Sequence, residues 1–225
     1  MDLSNPKYKN QGIHVDAAIF SVSGGKMKIL LVKRANEPEI GKWMLPGGGV
    51  YNDESIDAAM RRELREKVGI ENLYLEQVYA FGDPKRDPRR RMVSVAYLAL
   101  TDRDKITVWE KSAKIQGSRW LGLDEVPKLL FDHNDILDKC FARLRQRVIF
   151  SNIAANILPK EFTFPELHGL YEAVLGRKLD RRNFRKKILA SGLVAKTGKR
   201  ADTGRRPADL YRFRHQEMTE AEMSI

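Results

Sequence analysis

The stretch GGVYNDESIDAAMRRELREKVGI, residues 48–70, decides how the chain is read. Its fixed points are Gly48, then Glu54 after five residues, then Arg62-Glu63-Leu64 after seven more, then Glu66, Lys67 and Gly69-Ile70. The run reads as a loop feeding a helix. Pro46 and the three glycines that follow it are turn chemistry, because glycine adopts backbone conformations other residues resist. Asp53 is placed as the N-cap, and the acidic Glu54 and Asp57 suit the positive end of a helix. Gly69 is a natural stop. Ile56, Met60, Leu64 and Val68 recur every four residues and make one apolar stripe. Glu63, Glu66 and Lys67 are three and four apart, so they project from neighbouring positions.

This run resembles the Nudix box of the Nudix hydrolases, whose pattern ends in Arg-Glu-aliphatic-x-Glu-Glu-x-Gly-aliphatic. Each fixed position matches except Lys67, which stands where the family has its last glutamate. In that family the helix glutamates hold divalent cations against a diphosphate and help activate water. The resemblance therefore makes Glu63 and Glu66 metal ligands, and catalytic groups if Mg- or Mn-dependent hydrolysis survives. Hard cations want oxygen ligands. An ammonium cannot ligate a cation and repels it, although it can attract a phosphate directly. Lys67 thus has two readings. One is a weakened or lost metal site; the other is a solvated Glu63–Lys67 pair at i, i+4, worth only about 0.2–0.5 kcal/mol.

A chain of 225 residues with 42% hydrophobic content builds one or two domains with an ordinary core. No apolar stretch approaches the ~20 residues needed to span a bilayer, and MDLSNPKYKNQGIHV at the start lacks a signal-peptide core. The single Cys140 forms no internal disulfide, which suits a cytoplasmic location; its neighbours Ile136, Leu137 and Phe141 imply burial. The four histidines show no metal-ligand spacing. Charge is the sharper signal. Residues 177–214 carry 14 Lys/Arg and 3 Asp/Glu, so the whole excess of +11 lies there, and the remaining 27 basic and 27 acidic residues balance. Such confinement points to a polyanionic partner.

Residues 14–22 and 27–34 read as strands joined by Ser23-Gly24-Gly25, and residues 73–81, 92–100 and 116–121 as further strands. Strands with a helix between them imply an α/β sandwich. The loop GDPKRDPRRR, residues 82–91, carries five basic residues beside two prolines; it suits an anionic ligand near the sheet, or simply a solubilising surface. Residues 134–149 read as a connector helix by periodicity, and Pro159 argues against its continuing. The expected division is residues 1–150 and 151–225.

The second part reads as two helices and a hairpin. Thr163 caps the first helix with Pro165 in its opening turn, and Leu167, Leu170, Tyr171, Val174 and Leu175 line its buried face. Asp180 caps the second, RRNFRKKILAS, which buries Phe184 and Ile188. Arg182, Asn183 and Lys186 lie on the opposite side, offering donors to bases and phosphates in a major groove. Residues 193–196 and 209–213 read as strands, with Lys199, Arg200, Arg205 and Arg206 in the loop between. Helix, turn, basic helix and basic hairpin together look like a winged helix-turn-helix. A basic helical dimerisation module is the alternative, and no aromatic RNA-recognition motif is visible.

An α/β Nudix-fold sandwich with a smaller C-terminal winged helix-turn-helix resembles the Nudix-related transcriptional regulators of bacteria. These include repressors of NAD metabolism that respond to ADP-ribose, and relatives that respond to sugars such as arabinose. The specific parts are the altered box, AFGDPKRDPRRRMVSVAYLAL after it, and LDRRNFRKKI. The resemblance implies a homodimer on a double-stranded DNA operator, a small-molecule effector, and no required cofactor. It implies an effector pocket drawing on Arg34, Gly48, Arg62, Glu63, Glu66, Lys67 and Arg86. It gives DNA contacts to Arg181, Arg182, Asn183, Arg185, Lys186, Lys187, Lys199, Arg200, Arg205 and Arg206. The competing expectation is an active ADP-ribose pyrophosphatase with a basic appendage.

Overall fold

The computed structural model describes residues 11–71, 73–103, 106–202, 207–215 and 217–220. Two compact units emerge. One is built on the chain up to Ile19 with Ile29–Ala99 and Thr107–Phe141; the other takes Phe20–Lys28, the short stretch Leu100–Ile106, and the chain from Ala142 onward.

In the first unit the main strands are β1 (Gly12–Ser23), β2 (Lys26–Arg34), β5 (Tyr74–Phe81), β6 (Met92–Leu100) and β7 (Ile115–Gly122). They fall where the apolar runs placed them, most with slightly longer ends. Two short strands, β3 (Trp43–Met44) and β4 (Gly47–Gly49), complete a seven-stranded sheet. Its order is β3-β2-β1-β6-β5, with β4 added to β1 and β7 to β2. Seven consecutive residues of β1, from Val15 through Ser21, are buried, as both faces of a central strand require.

The glycines before the box are not the turn their composition suggested. They form β4, antiparallel to β1, with Gly47 opposite Asp16 and Gly48 opposite Val15. A Cβ on Gly47 would run into the Val15 carbonyl, and one on Gly48 into the Glu63 carboxyl group. The missing side chains let the box helix sit directly on the sheet.

That helix is α1 (Ile56–Val68). Its N-cap is Ser55, not Asp53: the Ser55 hydroxyl accepts the Ala58 N–H at 3.1 Å. Gly69 ends it with φ 71°, a left-handed conformation that favours glycine. The Trp109 ring covers Gly69, and its backbone N–H donates to the Val68 carbonyl at 3.0 Å. Met60, Leu64 and Val68 are buried as their spacing predicts. α2 (His133–Phe150) buries Ile136, Leu137, Cys140, Leu144 and Val148, and burial pushes the Cys140 thiol up to about 12.

The second unit holds β8 (Phe162–Thr163), α3 (Phe164–Leu175), α4 (Arg181–Ala190), β9 (Val194–Ala201) and β10 (Ala208–Phe213), with sheet order β8-β10-β9. Thr163 caps α3 in a reciprocal box with Glu166, and the Asp180 carboxylate caps α4 by accepting the Asn183 N–H at 2.8 Å. Phe184 of α4 packs edge-on against Phe164, His168 and Tyr171, with ring centroids 5.7, 5.2 and 5.0 Å away. β9 is longer than expected, so Lys199 and Arg200 sit on a strand rather than in a loop. The ladder with β10, which sets Arg200 opposite Asp209, carries it past its own weak propensity.

Asn152 closes this unit. Its buried amide donates to the carbonyls of His215 and Glu217 at 2.9 and 2.8 Å and accepts the Thr219 N–H at 2.7 Å. No helix among the described residues is long and apolar enough to cross a membrane.

Candidate functional site

The altered box is a cluster of three carboxylates and three cations. α1 carries Arg62, Glu63, Glu66 and Lys67 at neighbouring positions, with Glu63 and Lys67 buried. Arg62 binds both oxygens of Glu54 at 2.6 and 2.9 Å, the Gly49 carbonyl at 2.8 Å and Glu63 Oε1 at 2.5 Å. Its guanidinium also lies 3.9 Å from the centre of the Tyr51 ring. The third cation, Lys114, was not foreseen. Its ammonium lies 2.6 Å from Glu66 Oε2 and 3.5 Å from Glu63 Oε1. Only long-range folding brings it there, because 48 residues separate it from Glu66.

Lys67 decides what this cluster can do. It is 8% exposed, donates to the Gly47 carbonyl, and lies 3.3 Å from Glu63 Oε2. The i, i+4 pair with Glu63 therefore forms, but buried; the solvated version is corrected. Burial lowers the Lys67 pKa, while Glu63 and Asp16 oppose that shift. Glu63 Oε2 is itself buried and accepts no hydrogen bond. This donor set does not fit a divalent cation. Each box carboxylate already faces a cation, and the oxygen without a hydrogen bond has an ammonium beside it. Among the described residues, no three His, Cys, Asp or Glu side chains converge as metal ligands.

The Glu54–Arg62 clasp is sensitive to acid. Hydrogen bonds from Arg62, then from the Tyr51 N–H, hold Glu54 down to about 2 from an ordinary 4.5. A depressed carboxylate contributes stability that is complete above its unfolded pKa and lost as pH falls through its folded one. The melting-temperature difference between the native protein and Glu54→Gln should hold steady above pH 4.5 and shrink toward pH 2. A difference that stays flat through that window would show an ordinary Glu54.

Two expected effector ligands are otherwise engaged. Arg86, 7% exposed, makes a two-pronged bond to Asp132 at 2.7 and 2.8 Å and lies 3.9 Å from Asp16. Beside it His133, lowered in pKa by burial, accepts the Leu45 N–H on Nδ1 and turns Nε2 toward Asp16. Arg34 donates to the carbonyls of Asn36, Glu37 and Pro38 and so holds its own loop. Both arginines are thus held by partners within the chain. Of the sequence-derived effector set, the structure brings together Gly48, Arg62, Glu63, Glu66 and Lys67.

On the basic unit, α4 leaves Arg181, Arg182, Asn183 and Lys186 exposed, while Lys187 is half-buried. Arg185, expected among the DNA contacts, is half-buried and engaged within the unit. Its guanidinium lies 4.8 Å from the Phe164 ring centre and donates to the Tyr211 hydroxyl at 2.5 Å, pinning α4 to β10. On β9, Lys199 pairs with Glu161 at 2.9 Å, and Arg200 donates to the Pro207 carbonyl at 2.9 Å. Arg205 and Arg206 lie outside the described residues.

Comparison with known proteins matches this arrangement piece by piece. The NUDIX domain model matches residues 12–144, and the NrtR DNA-binding winged helix domain model matches residues 154–213. The chain is 39% identical over 211 residues to the ADPR responsive transcriptional repressor NtrR of Acinetobacter baylyi, covering 92% of this chain and 83% of that one. The chain belongs to the NrtR family of Nudix-domain regulators. Shewanella oneidensis NrtR complexed with a 27mer DNA superposes on this NrtR-family chain with TM-score 0.78 at 32% identity, covering 90% of this chain and 93% of that one. The NUDIX domain of the same Shewanella protein, complexed with ADP ribose, aligns with TM-score 0.57 at 35% identity, covering 63% of this chain and 96% of that one.

Proposed function

We propose that this chain is a homodimeric transcriptional repressor that grips operator DNA with its winged unit and releases it when the Nudix-type unit binds ADP-ribose. The buried Lys67, engaged with Gly47 and Glu63 where the hydrolases have a metal ligand, carries this reading. The kinship with an ADPR responsive repressor and with NrtR structures holding DNA and ADP ribose supports it. Residues 1–150 then form the effector part and residues 151–225 the DNA-binding part. Gly48, Arg62, Glu63, Glu66 and Lys67 border the effector pocket. Arg181, Arg182, Asn183, Lys186 and Lys187 face DNA from α4, Lys199 and Arg200 from β9, and Arg205 and Arg206, outside the described residues, add to the DNA contacts. No metal or other cofactor is required.

A ligand shifts such an equilibrium only through its differential affinity for the two states. ADP-ribose should weaken operator affinity by about 5–150-fold, the usual range for coupled sites, and operator DNA should weaken ADP-ribose binding by the same factor. Calorimetry with ADP-ribose and with pentoses, each with and without operator, checks both halves. Ligand binding that is indifferent to DNA would remove the coupling. A second reading, residual hydrolysis, rests on the survival of Glu63 and Glu66. Incubation with ADP-ribose and Mg²⁺ or Mn²⁺ tests it, and native turnover near about 1–10³ s⁻¹ would overturn the sensor-only reading.

A further inference from the structure

Resting on that reading, we infer that the effector's phosphates dock on Arg90, in a cavity beside the box rather than on the box cluster itself. Inside the cluster Arg62, Lys67 and Lys114 each face a carboxylate within 3.3 Å, so none offers a free positive charge to an anion. The loop after β5 supplies the alternative. Of its five basic residues, Arg86 is bound to Asp132, Arg89 to Asp87 at 2.5 Å, and Arg91 to the Met92 carbonyl at 3.1 Å. Lys85 stands exposed and is not among the residues lining the cavity beside the box loop. Arg90 has no carboxylate partner among the described residues; its Nε donates to the Met92 thioether at 3.2 Å, a weak acceptor.

Arg90 also lines a cavity of about 560 Å³, within the range typical of small-molecule sites. The cavity is also lined by the box loop, with Gly49, Tyr51 and Glu54, and by Ile13 and Gly12 of β1, the latter directly beside the Arg90 guanidinium. Tyr51 is 54% exposed, and the Arg62 guanidinium packs over one face of its ring. An aromatic ring fixed in this way is a stacking platform for a planar base. Glu54, the acid in the wall, is already neutralised by Arg62 and does not repel an anion. Guanidinium, aromatic ring and glycine-lined walls together fit a nucleoside diphosphate. Because Arg62 touches Tyr51, Glu54 and Glu63 at once, a ligand here also reaches the box cluster through one side chain.

Calorimetry on the full chain, with ADP-ribose, adenosine and inorganic pyrophosphate as probes, tests the assignment. Arg90→Ala should weaken ADP-ribose and pyrophosphate roughly 10- to 100-fold, the scale of charge-assisted hydrogen bonds, and leave adenosine unchanged. Tyr51→Ala should weaken ADP-ribose and adenosine, and Tyr51→Phe should restore both. If the native protein binds ADP-ribose and Arg90→Ala binds it within twofold, the site is wrong while the effector reading stands. If the native protein binds no ADP-ribose, the effector reading falls, and pyrophosphate decides the site: binding lost in Arg90→Ala supports it, and no binding overturns it.

Discussion

Raising salt from about 50 to about 200 mM should weaken operator binding about 10³-fold. Neutralising roughly six phosphates gives a log–log slope near −5, because each contact releases condensed counterions. The charge supports such a number: the full +11 excess of the chain falls within residues 177–214. Individual replacements should then separate. Arg182 is exposed on α4, so Arg182→Ala should cost roughly 1–3 kcal/mol and relax discrimination at particular base pairs. Lys199 lies on the wing strand, so Lys199→Ala should weaken all sequences alike and flatten the slope by about one. Arg185→Ala should instead lower the melting temperature, since that guanidinium holds Phe164 and Tyr211. Fluorescence anisotropy across a salt series reads the first two. Binding that ignores salt, or ignores both Arg182 and Lys199, would sink the DNA-binding assignment of these residues.

Lys67→Glu should make folding depend on metal. In the native protein the ammonium satisfies the Gly47 carbonyl and balances Glu63, both in the interior. A carboxylate there leaves that carbonyl without its donor and sets a second negative charge against Glu63. Breaking a buried pair in this way typically costs about 3–5 kcal/mol. The lower end is expected here, because Arg62 and Lys114 still face Glu63. Mg²⁺ or Mn²⁺ should recover much of the loss by bridging the carboxylates, as hard cations do. Melting curves of Lys67→Glu in EDTA and in millimolar Mg²⁺ measure this, with the native protein as control. Equal curves for the variant under both conditions would mean that the remaining carboxylates cannot recreate a cation site.

What could be read in advance follows the reach of each interaction. Thr163 and Asp180 were legible because a cap bonds a backbone N–H three residues ahead, within the local pattern. The cap of α1 was misplaced by two residues because Asp53 and Ser55 are both good caps, and only the fold selects Ser55. Lys114 was invisible, since nothing near it announces that Glu66 lies across the fold. The burial of Arg86 was hidden for the same reason: a proline-rich basic loop looks like surface until Asp132, 46 residues on, is brought beneath it. Lys199 and Arg200 looked like loop residues because strand propensity is weak for them, and their placement came from the partner strand.

Asn152 sets a boundary that the recognised winged-helix span does not reveal. That span ends at residue 213, yet one buried amide gathers the carbonyls of His215 and Glu217 and the N–H of Thr219. Cutting the chain just past β10 would strand the Asn152 donors and acceptor in the interior, at about 1–3 kcal/mol for each group left without a partner. A winged unit meant to stand alone therefore has to keep its backbone through Thr219. By the same geometry, a fusion partner joined before that residue would take from the Asn152 amide the backbone groups it binds.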